Sequence, residues 1–199
     1  IEEMNYDMIY HEHMSYYSLY TLMKFFSTYE MEVFDIKHNK KVRTGSTRFY
    51  VKNISNNNYQ ISQNVKTLYN KEIKFNFHQK NIYDDYASKV ELNKVQIIDL
   101  LEKLKKEGKS IIGYGASGRG TVIMNYCNID AKYLDYVVDD APQKEGFYTP
   151  GTRLEIKSIV EKYSSSSLLI MDNYYDLKNS YLIKNRINSY RTSIIYRKV

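Results

Sequence analysis

The run Ile111-Ile112-Gly113-Tyr114-Gly115-Ala116-Ser117-Gly118-Arg119-Gly120 constrains the fold more than any other part of this chain. A short apolar run enters a Gly-x-Gly-x-x-Gly turn, and Thr121-Val122-Ile123-Met124-Asn125-Tyr126 leaves it with a helical pattern. Glycine allows a sharp turn and a close approach of backbone to ligand, and a helix that starts there aims free N–H groups at any anion present. Strand, turn and helix in that order make a nucleotide-binding fingerprint. Read functionally, the backbone of Gly113, Gly115, Ser117 and Gly118 cradles a phosphate, with the planar fork of Arg119 on its oxygens. Read structurally, the same residues are a tight strand-to-helix turn with no ligand.

The elements around this turn alternate. Strands are expected at Ser110–Gly113, Tyr136–Asp139, Leu168–Met171 and Ser193–Tyr196. Helices are expected at Thr121–Cys127, Ile156–Lys162 and Leu177–Ser189. Short apolar strands separated by helices imply a parallel sheet covered on both faces, an α/β fold. Before them a long helix from about Ser88 to Glu107 places Val90, Val95, Ile98, Leu101 and Leu104 on or near one face. Ser88 and Glu91 form its capping box and Gly108 its stop. Earlier still, Ser15–Tyr29 has helical spacing, Met31–Lys37 and Thr47–Lys52 alternate as strands, and Asn53–Asn58 is a polar connector.

Composition excludes several classes. The 199 residues include 43% hydrophobic ones, enough for one good core or two small ones. The net charge of +6 is spread among 23 acids with no basic tract, so no nucleic-acid partner is expected, and phosphorylated small molecules suit the balance equally well. Cys127 is the only cysteine, which precludes an internal disulfide and points to a reducing, cytoplasmic setting. No apolar stretch approaches a membrane span. The chain opens on Ile1-Glu2-Glu3-Met4 rather than on methionine, and is expected to be a piece of something longer.

Two further strings carry chemistry. Asp139 and Asp140 end a strand where a dinucleotide enzyme keeps an acid for the ribose hydroxyls, although a strand-end Asp pair is equally a turn former. His11-Glu12-His13 cannot hold a metal, because residues two apart diverge on a helix and His38, His78 and Cys127 supply no further ligand cluster. A neutral His beside a carboxylate can take a proton near neutral pH, and a surface His pair at a helix entry is the plainer alternative.

Together these strings resemble a known family. Asp7-Met8-Ile9-Tyr10-His11-Glu12-His13-Met14-Ser15-Tyr16-Tyr17-Ser18-Leu19 is similar to the Tyr-His-Glu-His signature of C-methyltransferases that act on nucleotide-linked keto-deoxysugars. The glycine string, Met124-Asn125-Tyr126-Cys127, the run from Val138 to Gly146 with Asp139, Asp140 and Lys144, Tyr148-Thr149-Pro150-Gly151-Thr152 and Asp172-Asn173-Tyr174 continue the resemblance in order. The chain departs at Arg119, usually Lys, at Arg43 and Thr44 before Gly45-Ser46, usually His-Gly, and at Asp172, usually an aromatic.

The resemblance implies a Rossmann-like C-terminal domain over residues 88–199, a connecting segment over 58–87, and in residues 1–57 the tail (helix plus antiparallel pair) of a class I methyltransferase domain. It implies S-adenosylmethionine as methyl donor, bound mainly by a part before Ile1, and zinc only in a cysteine module there. His13 matches the base, with Glu12 and Tyr10 lining the sugar site, and the glycine turn would clamp the nucleotide. This portion alone is expected to be inactive. The alternative is a non-catalytic nucleotide- or NAD-binding module, or a purely structural one. Asp139 lies 26 residues after Gly113, whereas NAD enzymes place their acid about 20 on, which disfavours NAD.

Overall fold

The computed structural model describes residues 5–39, 46–158, 167–170 and 194–195, the last two segments as backbone only. The chain forms two compact units, one of Met14–Asp85 and one combining Ile1–His13 with Tyr86–Val199. The first thirteen residues therefore group with the C-terminal sheet, and the boundaries at residues 57 and 88 expected from the sequence do not coincide with these units.

In the Met14–Asp85 unit, α1 (Leu19–Ser27) starts at Ser18, whose side chain accepts from the Thr21 N–H while the Thr21 hydroxyl accepts from the Ser18 N–H. Strands β1 (Met31–Asn39) and β2 (Ser46–Asn53) pair antiparallel, with a bulge between Val33 and Asp35. A second helix, α2 (Gln63–Lys74), is capped by Ser62 and occupies part of the segment read as a connector. Its Val65 is buried with Leu19, Val33 and Ile36, and Leu68 and Tyr69 pack against them, so apolar spacing, not the polar run before it, decides its state. Glu72 is buried on α2 and its carboxylate accepts from the Leu19 and Tyr20 N–H groups at 2.8 Å each. It thus satisfies two donors that the start of α1 leaves open.

Helix α3 (Lys80–Lys106) begins well before Ser88, so Ser88 is interior to the helix rather than its cap. Val90, Leu101 and Leu104 are buried, Ile98 packs beside them, and Val95 is 52% exposed, off the core stripe. The expected stop holds. Gly108 has φ +70 and donates to the Lys105 carbonyl, while the Lys109 N–H reaches back to Leu104, a Schellman ending.

The C-terminal unit is an α/β fold. Strands β3 (Ile111–Tyr114), β4 (Tyr136–Asp139), β5 (Ile156–Ser158), β6 (Ser167–Ile170) and β7 (Ile194–Ile195) form one parallel sheet in the order β5-β4-β3-β6-β7. The segment expected as the helix Ile156–Lys162 is instead strand over Ile156–Ser158, pairing Ile156 with Val137. Ile156, Ile159 and Val160 mimic a helical stripe, but a short apolar run is ambiguous and pairing with β4 decides it. The expected helix Leu177–Ser189 and the Asp172-Asn173-Tyr174 string lie outside the described residues. Ile111, Met124, Ile129, Leu134 and Val137 are fully buried between the sheet, α3 and α4 (Gly118–Cys127). Among the described residues no helix is long and apolar enough to cross a membrane.

Candidate functional site

The chain runs outward from central β3 to β4 and β5, then resumes on the other side of β3 with β6 and β7. A crevice outside the carboxyl ends of the strands, where the order reverses, is where open parallel sheets bind ligands. The glycine turn leaves β3 at that point. Gly113 lies in β3, and Gly115 takes φ +95, a conformation that strains any residue with a Cβ. Its N–H donates to the Val138 carbonyl at 2.8 Å. Ser117 caps α4, its hydroxyl accepting from the Gly120 N–H at 3.1 Å, and a Cβ on Gly118 would meet nothing within 4 Å.

The acids expected to face a ligand are engaged by the turn itself. Asp139 Oδ2 accepts from the Ala116 N–H at 2.8 Å and from Lys144 Nζ at 2.8 Å, and its Oδ1 accepts from the Ala141 N–H at 2.9 Å. Lys144 also donates to the Ala116 carbonyl at 3.0 Å. Asp140 accepts from the Tyr114 hydroxyl at 2.7 Å. These are the contacts of a turn former, one of the two readings of the Asp pair. The carboxylate of Asp139 fixes the turn from below, and Lys144 neutralises it.

Arg119 likewise has a protein partner. Its Nε donates to Asp7 Oδ2 at 2.8 Å and a terminal nitrogen approaches the same oxygen at 2.5 Å, with the Asp7 side chain 4% and that of Arg119 17% exposed. The fork expected to grip phosphate thus holds a carboxylate from the turn Tyr6–Met8. Asp7 escaped the sequence reading as a site residue, although it opens the string that carried the resemblance.

The Tyr10–His13 segment follows directly. Tyr6 is buried against Cys127 and Tyr126, and Tyr6–Met8 form a single 3₁₀ turn. The His13 Nδ1 lies 2.7 Å from the Met8 carbonyl, and its ring packs against Tyr10 with centroids 4.2 Å apart and planes tilted by 40°. A carbonyl only accepts, so Nδ1 carries hydrogen and the neutral ring keeps its lone pair on Nε2. His11 and Glu12 are exposed and lie 4.0 Å apart. Tyr10 and His13 are thus brought together, and the His11 ring meets Tyr10 edge-on, with centroids 6.1 Å apart.

The remaining signature strings build a loop. Asn125 Nδ2 donates to the Thr121 carbonyl at 2.8 Å and to Pro150 at 3.0 Å. Buried Thr149 accepts from the Leu154 N–H at 2.9 Å and pairs with the Thr152 hydroxyl at 2.8 Å. Tyr126 donates to Glu91, and that bond raises its phenol to about 12. Burial, the largest influence, pushes the Cys127 thiol up. A separate cavity in the Met14–Asp85 unit, edged by Lys37, His38, Thr47 and Lys71, contains none of the expected catalytic or phosphate-binding residues.

The family model described as the C-methyltransferase C-terminal domain matches residues 41–171. C-methyltransferase NovU of Streptomyces niveus is 26% identical over 158 residues, which cover 79% of this chain. The match covers 37% of that relative, so the chain spans well under half of its length.

Proposed function

The chain belongs to the C-methyltransferase C-terminal domain family, and we propose that it is the C-terminal part of an enzyme that methylates a carbon of a nucleotide-linked keto-deoxysugar. The observation that carries this reading is the His13–Tyr10 pair, held on the Met8 carbonyl. A C–H beside a ketone needs a base that works near neutral pH and a donor for the developing enolate oxygen. His13 offers its Nε2 lone pair for the proton. Tyr10, packed against the same ring, supplies the hydroxyl for the oxygen, and Glu12 lines the sugar side.

In this reading the nucleotide's diphosphate lies at the N-terminus of α4, beside Ser117 and the open face of Gly118, where N–H groups favour an anion. Gly113 and Gly115 shape the approach, and Asp139, Asp140 and Lys144 keep it rigid. The contacts of Asp139 also weigh against NAD, since the acid that would take a ribose is already bonded to Ala116, Ala141 and Lys144.

S-adenosylmethionine is the proposed methyl source. The residues of this chain do not fit it, for the same Asp139 contacts leave the glycine turn without a ribose acid. The donor site is therefore assigned to the portion of the relative's length that this chain does not span. Titration calorimetry with S-adenosylmethionine tests the assignment: the chain alone should show no micromolar binding, while the intact protein binds and transfers a labelled methyl group. Micromolar binding by these 199 residues would place the donor site wrongly.

A further inference from the structure

The expected partner of Arg119 was a phosphate, yet its guanidinium grips Asp7, from 112 positions earlier in the chain. We infer that Asp7 and Arg119 are positioning residues that fix the tautomer of His13, and so select which nitrogen can act as base. The inference rests on the proposed role of His13 and deepens it.

The path is short, with a direct contact at each end and the Tyr6–Met8 turn between them. Arg119 sits in the first turn of α4, with its fork closed on a single oxygen of Asp7. An anion there is favoured twice, by the guanidinium and by the positive end of the helix. Asp7 is the middle residue of the turn Tyr6–Met8, so holding it fixes the direction of the next carbonyl, that of Met8. Tyr6 anchors the same turn from the other side, its ring buried and its hydroxyl donating to Asn93 Oδ1 at 3.2 Å. The Met8 carbonyl meets His13 Nδ1, and the His13 N–H returns to the Tyr10 carbonyl at 2.9 Å. The four residues between Met8 and His13 form a closed loop whose orientation is set at Asp7.

A nearly buried ion pair is weak evidence for stability, because desolvation offsets much of the attraction. Its consequence is geometric. Which imidazole nitrogen holds the proton is decided by the hydrogen bond made by the other. With Met8 in place, Nδ1 is the donor and Nε2 the base. Without the Asp7–Arg119 grip the turn can rotate, the Met8 carbonyl leaves Nδ1, and the ring exchanges between both tautomers.

Long-range proton–nitrogen spectra of the histidine rings read this directly, with His13→Gln identifying the signal. The parent chain should show His13 as the single Nδ1–H form at a pH where the ring is neutral. Asp7→Asn and Arg119→Gln should each give a mixture, whereas Arg119→Lys, which keeps a charged donor, should retain the single form. If Asp7→Asn unfolds the chain, Asp7→Glu takes its place, since it keeps the pair but displaces the turn, and a mixture is again expected. In the intact protein, Arg119→Gln should lower turnover toward the loss of about 10²–10⁴-fold that removing a general base gives, with the KM for the nucleotide-sugar little changed. A parent chain lacking the Nδ1–H form, or a folded Asp7→Asn, Asp7→Glu or Arg119→Gln variant that still shows it alone, overturns the inference. The spectra need no reaction. A single tautomer in an intact protein that transfers no methyl group therefore refutes the proposed function and leaves this inference standing.

Discussion

Replacing Gly151 with alanine tests the loop that joins the signature strings. Gly151 has φ +80, and a Cβ there would lie 1.9 Å from Asn125 Oδ1 and 2.8 Å from its Cγ. Two costs follow. The left-handed backbone costs a residue with a Cβ about 1 kcal/mol. Asn125 must also swing away and give up its bonds to the Thr121 and Pro150 carbonyls, about 0.5 kcal/mol each for exposed partners. Gly151→Ala should therefore destabilise by about 2 kcal/mol. Asn125→Ala alone loses the same two bonds but regains about 0.5 kcal/mol of helix propensity, leaving a net loss of about 0.5 kcal/mol. In the double variant no clash remains, so only the backbone cost is added, for a total of about 1.5 kcal/mol rather than the 2.5 that simple addition gives. Urea unfolding followed by circular dichroism supplies all three values, provided the slope with denaturant stays constant. Additivity within about 0.3 kcal/mol would mean that Asn125 does not pack over Gly151.

Glu72→Gln keeps the shape of the cap on α1 but removes its charge, and stability should fall by about 1 kcal/mol, whereas Glu72→Ala should lose about 2–3 kcal/mol because the Leu19 and Tyr20 N–H groups are left without the carboxylate; urea midpoints check both. The raised phenol of Tyr126, at about 12, means that its bond to Glu91 contributes stability fully below the unfolded value near 10 and loses it as pH rises from there through about 12. Glu91→Gln should bring the Tyr126 titration, followed by carbon-labelled tyrosine NMR, back toward the ordinary range and flatten that alkaline loss.

Much of the C-terminal sheet was legible because its strands are apolar runs bounded by turn residues. Ile111–Tyr114, Tyr136–Asp139 and Ser167–Ile170 fall where such runs were read. The stop at Gly108 and the helix after the glycine turn were legible for the same local reason. The failures come from tertiary choices. Ile156 could serve a helix or an edge strand, and its pairing with Val137 decides. Helix α2 hid behind the Asn-rich run before it, and Val65 becomes a core residue only once Leu19 and Val33 are beside it.

At the candidate site the residue types were legible and their partners were not. Asp139 reaches Ala116 from 23 positions away and Arg119 reaches Asp7 from 112. No spacing rule connects such pairs, so a carboxylate and a guanidinium that satisfy protein groups look in sequence like groups awaiting a ligand. His13 was separable from His11 only by resemblance, and the Met8 carbonyl supplies the physical distinction.

The central claim, that His13 is the base for a carbon acid beside a ketone, is tested most directly by solvent deuterium exchange. The intact protein, incubated in deuterated water with a nucleotide-linked keto-deoxysugar, should catalyse exchange of the hydrogen next to the carbonyl. His13→Ala should slow that exchange by about 10²–10⁴-fold, as loss of a general base does, while His11→Ala leaves it within a few-fold of the parent. Unchanged exchange in His13→Ala, or its loss in His11→Ala alone, would contradict the account.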